Sequence, residues 1–245
     1  MREVLKTLII GSGSIGIEYG KILRDLGAEV SILDRSNKLN TKETNLIILK
    51  KDITTLSKAE IKSFCADNDI RSFVSSQVYS WIWNKSCSSF SDMSNVSLED
   101  RSKFDKEFFI NSLDVDVEEE SSDGTIKTKF KLHDGNFVEG VLIPKNKRMT
   151  ACISSQVGCS LSCSFCATGT LGLTRNLSAS EIYRQVVYIS KKCMEIYNQP
   201  LTNIVFMGMG EPLLNYKNVT RSIHFITSEE GLNMSYKRIT LSTSG

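Results

Sequence analysis

Three of the seven cysteines fall within eight residues, as Cys159-x-x-x-Cys163-x-x-Cys166. Three thiolates in so short a loop can each hold one iron of a [4Fe–4S] cube, which leaves the fourth iron open to a substrate. Structural zinc is the runner-up, but it asks for four ligands, usually as two spaced pairs. The two histidines, His133 and His224, lie outside the loop, and Cys152 sits on the far side of a short strand. The loop therefore reads as an open-site cluster, with zinc and unligated thiols as the alternatives.

Two further stretches carry groups suited to a ligand. Gly208-Met209-Gly210-Glu211-Pro212 closes an apolar run with a flexible turn bearing one acid. Free backbone groups and a carboxylate there suit an ammonium group. Ser242-Thr243-Ser244-Gly245 ends the next strand with hydroxyl-rich positions.

Elements must place these groups together. From Thr150 onward the pattern is strand, glycine-containing loop, helix. Cys152 to Ser154 leads into the cysteine loop, and Ser178-x-x-Glu181 is a capping box flanked by Leu177 and Ile182. Ile182, Val186, Ile189, Cys193 and Ile196 then share one helical face. Asn203 to Met207 and Arg238 to Ser242 read as buried strands. Repeated strand–helix units build a parallel sheet or barrel, with its chemistry at the carboxyl ends of the strands.

Before this α/β region the grammar differs. Ser57-x-x-Glu60 opens a helical unit with helices near 57–65, 74–83 and 98–109, which Trp81 and Trp83 are expected to close. Leu113 to Glu119 alternates apolar and acidic residues, the mark of a half-buried strand. Asp123-Gly124 and His133-Asp134-Gly135 turn the chain, with strands over 128–132 and 137–143, the last ended by Pro144. His133 reads as a turn residue.

The first 48 or so residues open differently again. A strand from Val4 to Ile10 runs into Gly11-Ser-Gly13-Ser-Ile-Gly16, a helical stretch to about Leu26 follows, and the strand Glu29 to Leu33 ends on Asp34. This is a dinucleotide fingerprint in strand–turn–helix–strand context. It forms one half of such a fold, so dinucleotide binding is not expected of it.

At 245 residues with a formal net charge of +2, the chain is long enough for a well-buried core, and its global charge neither demands nor excludes nucleic acid. No apolar run approaches the roughly 20 residues that span a bilayer, and no signal cleavage site is recognisable. The chain reads as cytoplasmic, where disulfides are disfavoured.

CISSQVGCSLSCSFCATGTLGLTRNLSASEI, NIVFMGMGEPLLNY and KRITLSTSG resemble the radical S-adenosylmethionine methyltransferases that methylate C2 of an adenine in 23S rRNA and in tRNA. The resemblance runs from about Lys50 to Gly245. It implies an α/β fold: a partial radical SAM (β/α) barrel over 150–245, preceded by a helical accessory domain (49–110) and a β meander (111–149). The half Rossmann βαβ opening (1–48) is foreign to the family. Cys159, Cys163 and Cys166 would be the cluster ligands, and Gly210, Glu211 and Ser242 would contact S-adenosylmethionine. Glu139 would be the proton acceptor, and Cys152 would help resolve a covalent RNA intermediate. An electron donor such as flavodoxin or ferredoxin is implied, and Lys145, Lys147, Arg148 and Arg175 are placed to meet RNA phosphates.

None of the seven cysteines stands in for the family's methyl-carrying cysteine, so the expectation is an incomplete, inactive chain. Methylation at C8 by a related subfamily, and an NAD(P)-dependent oxidoreductase fragment, are the alternatives.

Overall fold

The computed structural model describes residues 6–10, 29–33, 50–161, 163–164 and 166–244. The chain divides into two units, Met1–Lys50 and Lys51–Gly245. In the first, β1 (Lys6–Ile10) and β2 (Glu29–Leu33) pair in parallel, from Lys6 opposite Glu29 to Ile10 opposite Leu33. The Gly11–Gly16 fingerprint, the helix expected to follow it and Asp34 lie outside the described residues.

The second unit opens with β3 (Lys51–Asp52), α1 (Lys58–Asp67), α2 (Ser72–Trp83), α3 (Leu98–Glu107) and β4 (Phe108–Phe109). Ser57 starts α1 as the sequence suggests: its hydroxyl accepts from the Glu60 N–H while the Glu60 carboxylate accepts from the Ser57 N–H. The third helix was expected to reach Phe109. It stops at Glu107 because Phe108 and Phe109 pair in parallel with Lys51 and Asp52.

A six-stranded sheet follows, in the order β12-β11-β8-β7-β6-β5. Its members are β5 (Asp114–Glu120), β6 (Ile126–Lys131), β7 (Phe137–Lys145), β8 (Arg148–Cys152), β11 (Asn203–Phe206) and β12 (Ile239–Leu241). The meander strands β5 to β8 are antiparallel, and β8, β11 and β12 are parallel, so one continuous sheet joins both patterns. It is an open sheet. Outside it, β9 (Gln156–Gly158) and β10 (Leu173–Asn176) form a separate hairpin that carries the cysteine loop. The helices α4 (Ala179–Tyr197) and α5 (Tyr216–Thr227) connect the parallel strands.

Three expectations need correction. β5 is exposed along its whole length, with Val115 at 41% and Val117 at 46%, because it is the outer strand of the sheet. Its acids pair instead with β6 lysines, Glu119 with Lys127 at 3.0 Å and Asp116 with Lys129 at 2.8 Å, which blunts an otherwise sticky edge. Pro144 does not end β7. β6 stops pairing at Leu142, so beyond it β7 has a neighbour on one side only, where a missing N–H is tolerated. The apolar stripe of α4 buries Ile182, Val186, Ile189 and Cys193 but leaves Ile196 exposed; in the last turn Tyr197 packs against the core in its place.

The tryptophans also act differently than expected. Trp83 does not merely close the helical unit: its ring stacks on Phe225 of α5 (centroids 3.5 Å apart, 5° between planes) and meets Tyr183 of α4 edge-on. Tyr183 donates its hydroxyl proton to the Trp83 carbonyl, and Arg221 of α5 donates to the carbonyls of Thr54, Thr55 and Leu56. One hydrophobic core therefore runs from Ile53 through the helical unit to Ile226. Trp81 is only partly buried and hydrogen-bonds Asn95.

α4 lies flush on the sheet at Gly140, where an added Cβ would stand 2.8 Å from the Phe130 ring and 3.2 Å from the Ile189 δ-methyl. Gly140→Ala is expected to destabilise the chain by about 1–3 kcal/mol through overpacking, read as a lower urea midpoint.

Candidate functional site

The carboxyl ends of β8, β11 and β12 meet at one end of the sheet, and the residues following them are tied together by buried polar groups. The Ser155 and Gln156 N–H groups donate to the Met209 carbonyl, and the Met209 N–H donates to the Ser154 hydroxyl. Gln156 accepts from the Glu211 N–H at 2.8 Å. Gln185, fully buried on α4, accepts from the Ser154 N–H and donates to its carbonyl. Asn215 donates to the carbonyls of Ser155 and Leu177. Buried polar networks that are satisfied in this way fix a single arrangement of loops.

Glycine is required where these loops cross. Gly210 has φ +95°, and an added Cβ would fall 2.4 Å from the Gln156 Cβ. At Gly208 a Cβ would fall 2.7 Å from the Ser154 hydroxyl. The turn after β11 therefore lies directly on the segment after β8.

Opposite these turns hangs the cysteine loop. The Cys159 N–H bonds the Gly172 carbonyl at 2.9 Å, the Cys166 N–H the Cys163 carbonyl at 3.0 Å, and the Gly169 N–H the Cys166 carbonyl at 3.1 Å. A 3-10 turn over Ala167–Leu171 closes the loop. Backbone N–H groups of Gly169 and Thr168 hold the Cys166 thiol below its ordinary pKa, which favours the thiolate that a metal needs.

The loop and the strand ends wall one cleft of about 280 Å³. Cys159, Cys163 and Cys166 line one side; Gly210, Glu211 and Ser242 line the other. Cys159 is buried, and the other two thiols are half-buried. Among the described residues no three His, Cys, Asp or Glu side chains converge as a mononuclear metal centre requires. A cube asks for something else, one thiolate per iron around a larger body, and three cysteines on one wall of an open cleft suit that donor set.

Glu211 is 7% exposed, and both its carboxylate oxygens are engaged. Oε1 accepts from the Leu213 N–H and Oε2 from the Ser244 N–H, each at 3.0 Å, so the carboxylate joins the turn after β11 to the end of β12. Burial opposes its charge, but the N–H groups of Ser244 and Leu213 and the Thr243 hydroxyl outweigh that and lower its pKa. Glu181, at the start of α4, is lowered likewise against burial, by Arg175 and the Ser178 N–H. Folded pKa values below the unfolded ones stabilise the chain above about pH 4.5, and that stability is lost as the pH falls through the folded values. The urea midpoint is expected to drop between pH 6 and pH 3, and to drop less in Glu211→Gln, which at neutral pH is itself weaker by about 1–3 kcal/mol.

Glu139 and Cys152 do not line this cleft. Gly140 faces α4, so by strand alternation Glu139 points from the opposite face of the sheet, as do Val141 and the Cys152 paired with it. Cys152 is half-buried, and burial raises its pKa. Glu139 is half-exposed, 3.8 Å from Lys127. His133 is more than a turn residue, its Nδ1 lying 3.5 Å from Glu181. Sequence reading missed Ser154, Gln156, Gln185 and Asn215. Gln185 alone left a trace, as a polar residue inside an otherwise apolar helical face.

Three family descriptions match the chain. Ribosomal RNA large subunit methyltransferase N-terminal domain covers residues 51–110, and Radical SAM superfamily covers 153–245. Pyridine nucleotide-disulphide oxidoreductase covers 6–73. A probable dual-specificity RNA methyltransferase RlmN of Flavobacterium johnsoniae is 54% identical over 198 residues, covering 81% of this chain and 57% of that protein. The dual-specificity RNA methyltransferase RlmN of Geotalea uraniireducens is 43% identical over 196 residues, covering 80% and 55%. The crystal structure of a radical SAM methyltransferase from Sphaerobacter thermophilus superposes with a TM-score of 0.70 at 38% identity, covering 80% of this chain and 57% of that one. The chain thus spans a little over half the length of the relatives it matches.

Proposed function

Because residues 51–245 belong with the radical SAM dual-specificity RNA methyltransferases, we propose that they form the cofactor-binding part of an enzyme that methylates C2 of adenine in 23S rRNA and tRNA. The observation that carries this reading is the single cleft walled by three cysteines on one side and the turns after β11 and β12 on the other.

In this reading Cys159, Cys163 and Cys166 would hold a [4Fe–4S] cluster through their three thiolates. Such a cluster, when bound, supplies the electron for reductive cleavage of that cofactor. Gly210 lets the turn after β11 lie directly on Gln156, and the carbonyls of that turn would suit the cofactor's ammonium group. Glu211 keeps that turn and the Ser242–Ser244 segment at a fixed separation, so its role is to shape the cleft rather than to meet the ligand with a free carboxylate. Glu139 and Cys152, on the same face of the sheet with Cys152 paired to Val141, are the candidate proton acceptor and resolving thiol. Lys145, Lys147 and Arg148 lie at the turn between β7 and β8 and are suited to phosphates. A small reduced electron carrier such as flavodoxin or ferredoxin would serve as donor. No helix among the described residues is long and apolar enough to cross a membrane. The cytoplasm is the compartment that suits this chemistry.

The test is anaerobic reconstitution with iron and sulfide, reduction, and addition of S-adenosylmethionine. A changed electron paramagnetic resonance signal, with release of 5′-deoxyadenosine and methionine, is the expected result. An unperturbed signal and intact cofactor would remove the proposal.

Residues 6–33 favour a second, separate reading, since β1 and β2 pair in parallel and the match at 6–73 is to a nucleotide-binding family. Binding of NADH that depends on Gly13 would support it; a flat titration would dismiss it.

A further inference from the structure

The cysteine loop hangs from a two-stranded hairpin, and such a ribbon is marginal on its own. β9 is anchored through its neighbours, because the Gln156 N–H bonds the Met209 carbonyl after β11. Among the described residues the returning strand β10 pairs only with β9, and a register irregularity interrupts it between Leu173 and Arg175. The Gln156 side chain ties the base of the hairpin by donating to Asn176 Oδ1 at 2.7 Å, and at the irregularity itself stands Arg175, whose ionic partners both lie outside the hairpin.

Arg175 makes four hydrogen bonds. Its Nε donates to Asp134 Oδ2 at 2.6 Å, in the turn between β6 and β7. Nη1 and Nη2 grip the two oxygens of Glu181 at 2.9 Å each, at the start of α4, and Nη1 also meets the Asn176 carbonyl at 3.1 Å. A planar guanidinium with two carboxylates in its fork fixes direction as well as distance. Glu181 has a 1% exposed side chain, so this pair is shielded from solvent in a way that surface pairs are not. The capping box of α1 shows that the Ser-x-x-Glu arrangement completes itself without a bidentate arginine. Helix capping alone therefore does not account for Arg175.

We propose that Arg175 is the positioning residue of the cysteine loop, clamping its returning strand to the meander turn at Asp134 and to α4 at Glu181. The thiols of Cys159, Cys163 and Cys166 are thereby held facing the turns after β11 and β12. This weighs against Arg175 as a phosphate contact, since four of its five N–H donors are committed within the fold. It rests on reading the loop as the cluster site, but the clamp is testable without metal.

Hydrogen exchange of the metal-free full chain gives the first readout. In Arg175→Met the amides of Cys159, Cys166 and Gly169 are expected to exchange about tenfold faster, while those of β7 and β8 keep their rates. Arg175→Lys should recover part of the protection. Asp134→Asn removes a half-exposed partner at the surface and should give an intermediate value, which keeps the test valid if Arg175→Met folds poorly. The second readout is iron bound after reconstitution, expected to fall by more than half in Arg175→Met with an altered resonance signal. Unchanged exchange in the loop, or equal acceleration in β7 and β8, would overturn the clamp. If the loop responds as expected but the unaltered chain takes up no cluster, the clamp stands and the cluster reading falls.

Discussion

A chain carrying Gly158→Ala is expected to lose cluster uptake almost as completely as one lacking a cysteine, while keeping most of its global stability. Gly158 has φ +75°, and a Cβ there would stand 1.8 Å from the Gly172 carbonyl oxygen and 3.0 Å from its carbon. No rotamer relieves a clash between Cβ and backbone, so β9 and β10 must separate. The bond from the Cys159 N–H to the Gly172 carbonyl breaks with them. The backbone strain alone is about 1–3 kcal/mol, and the clash adds to it. The hairpin stands outside the six-stranded sheet, so the urea midpoint should move little while bound iron falls. Gly172 supplies an internal control. Its φ is +67°, yet a Cβ there meets nothing within 4 Å. Gly172→Ala carries backbone strain of the same kind, at φ +67° and ψ 175°, without the clash, so it should lose clearly less cluster than Gly158→Ala, and equal loss in both variants would refute the steric account.

The second large effect is expected from Trp83→Ala, and it should fall on stability rather than on the cleft. Trp83 is 1% exposed, lies face to face with Phe225 and edge-on to Tyr183. Removing an aromatic ring from such a site costs about 3–5 kcal/mol. The ring also seats the helical unit against α4 and α5, so the loss should appear as earlier unfolding of residues 51–110 in hydrogen exchange. Trp83→Phe keeps a ring against Phe225 and should recover much of the stability. A loss below about 1 kcal/mol in Trp83→Ala would mean that the stack contributes little.

What could be read from the sequence was local. The two capping boxes are spelled out within four residues, and at both helices the structure forms them as expected. The glycines of the Asp-Gly turns adopt the positive φ that such turns require. The cysteine spacing fits within one loop. What could not be read depends on partners distant in the chain. Nothing near Trp83 announces Phe225, and nothing near Arg175 announces Asp134. Alternation made β5 look half-buried, but whether a strand lies at the edge is a property of the sheet order. Gln156 and Asn215 look like ordinary loop residues until the turn after β11 is laid across the end of β8. Pro144 misled because its effect on a strand depends on whether a neighbour lies on the side without an N–H. The site residues divide in the same way. The three cysteines, Gly210, Glu211 and Ser242 share a cleft, whereas Glu139 and Cys152 share a different face.

The most direct measurement is iron and acid-labile sulfide per chain after anaerobic reconstitution, with the visible absorbance of the unaltered chain and of the Cys159→Ala, Cys163→Ala and Cys166→Ala variants. The expected result is about four irons and four sulfides in the unaltered chain, with the absorbance lost in each variant. A Cys163→Ala spectrum indistinguishable from that of the unaltered chain, or one zinc bound without sulfide, would contradict the cluster site on which the functional reading depends.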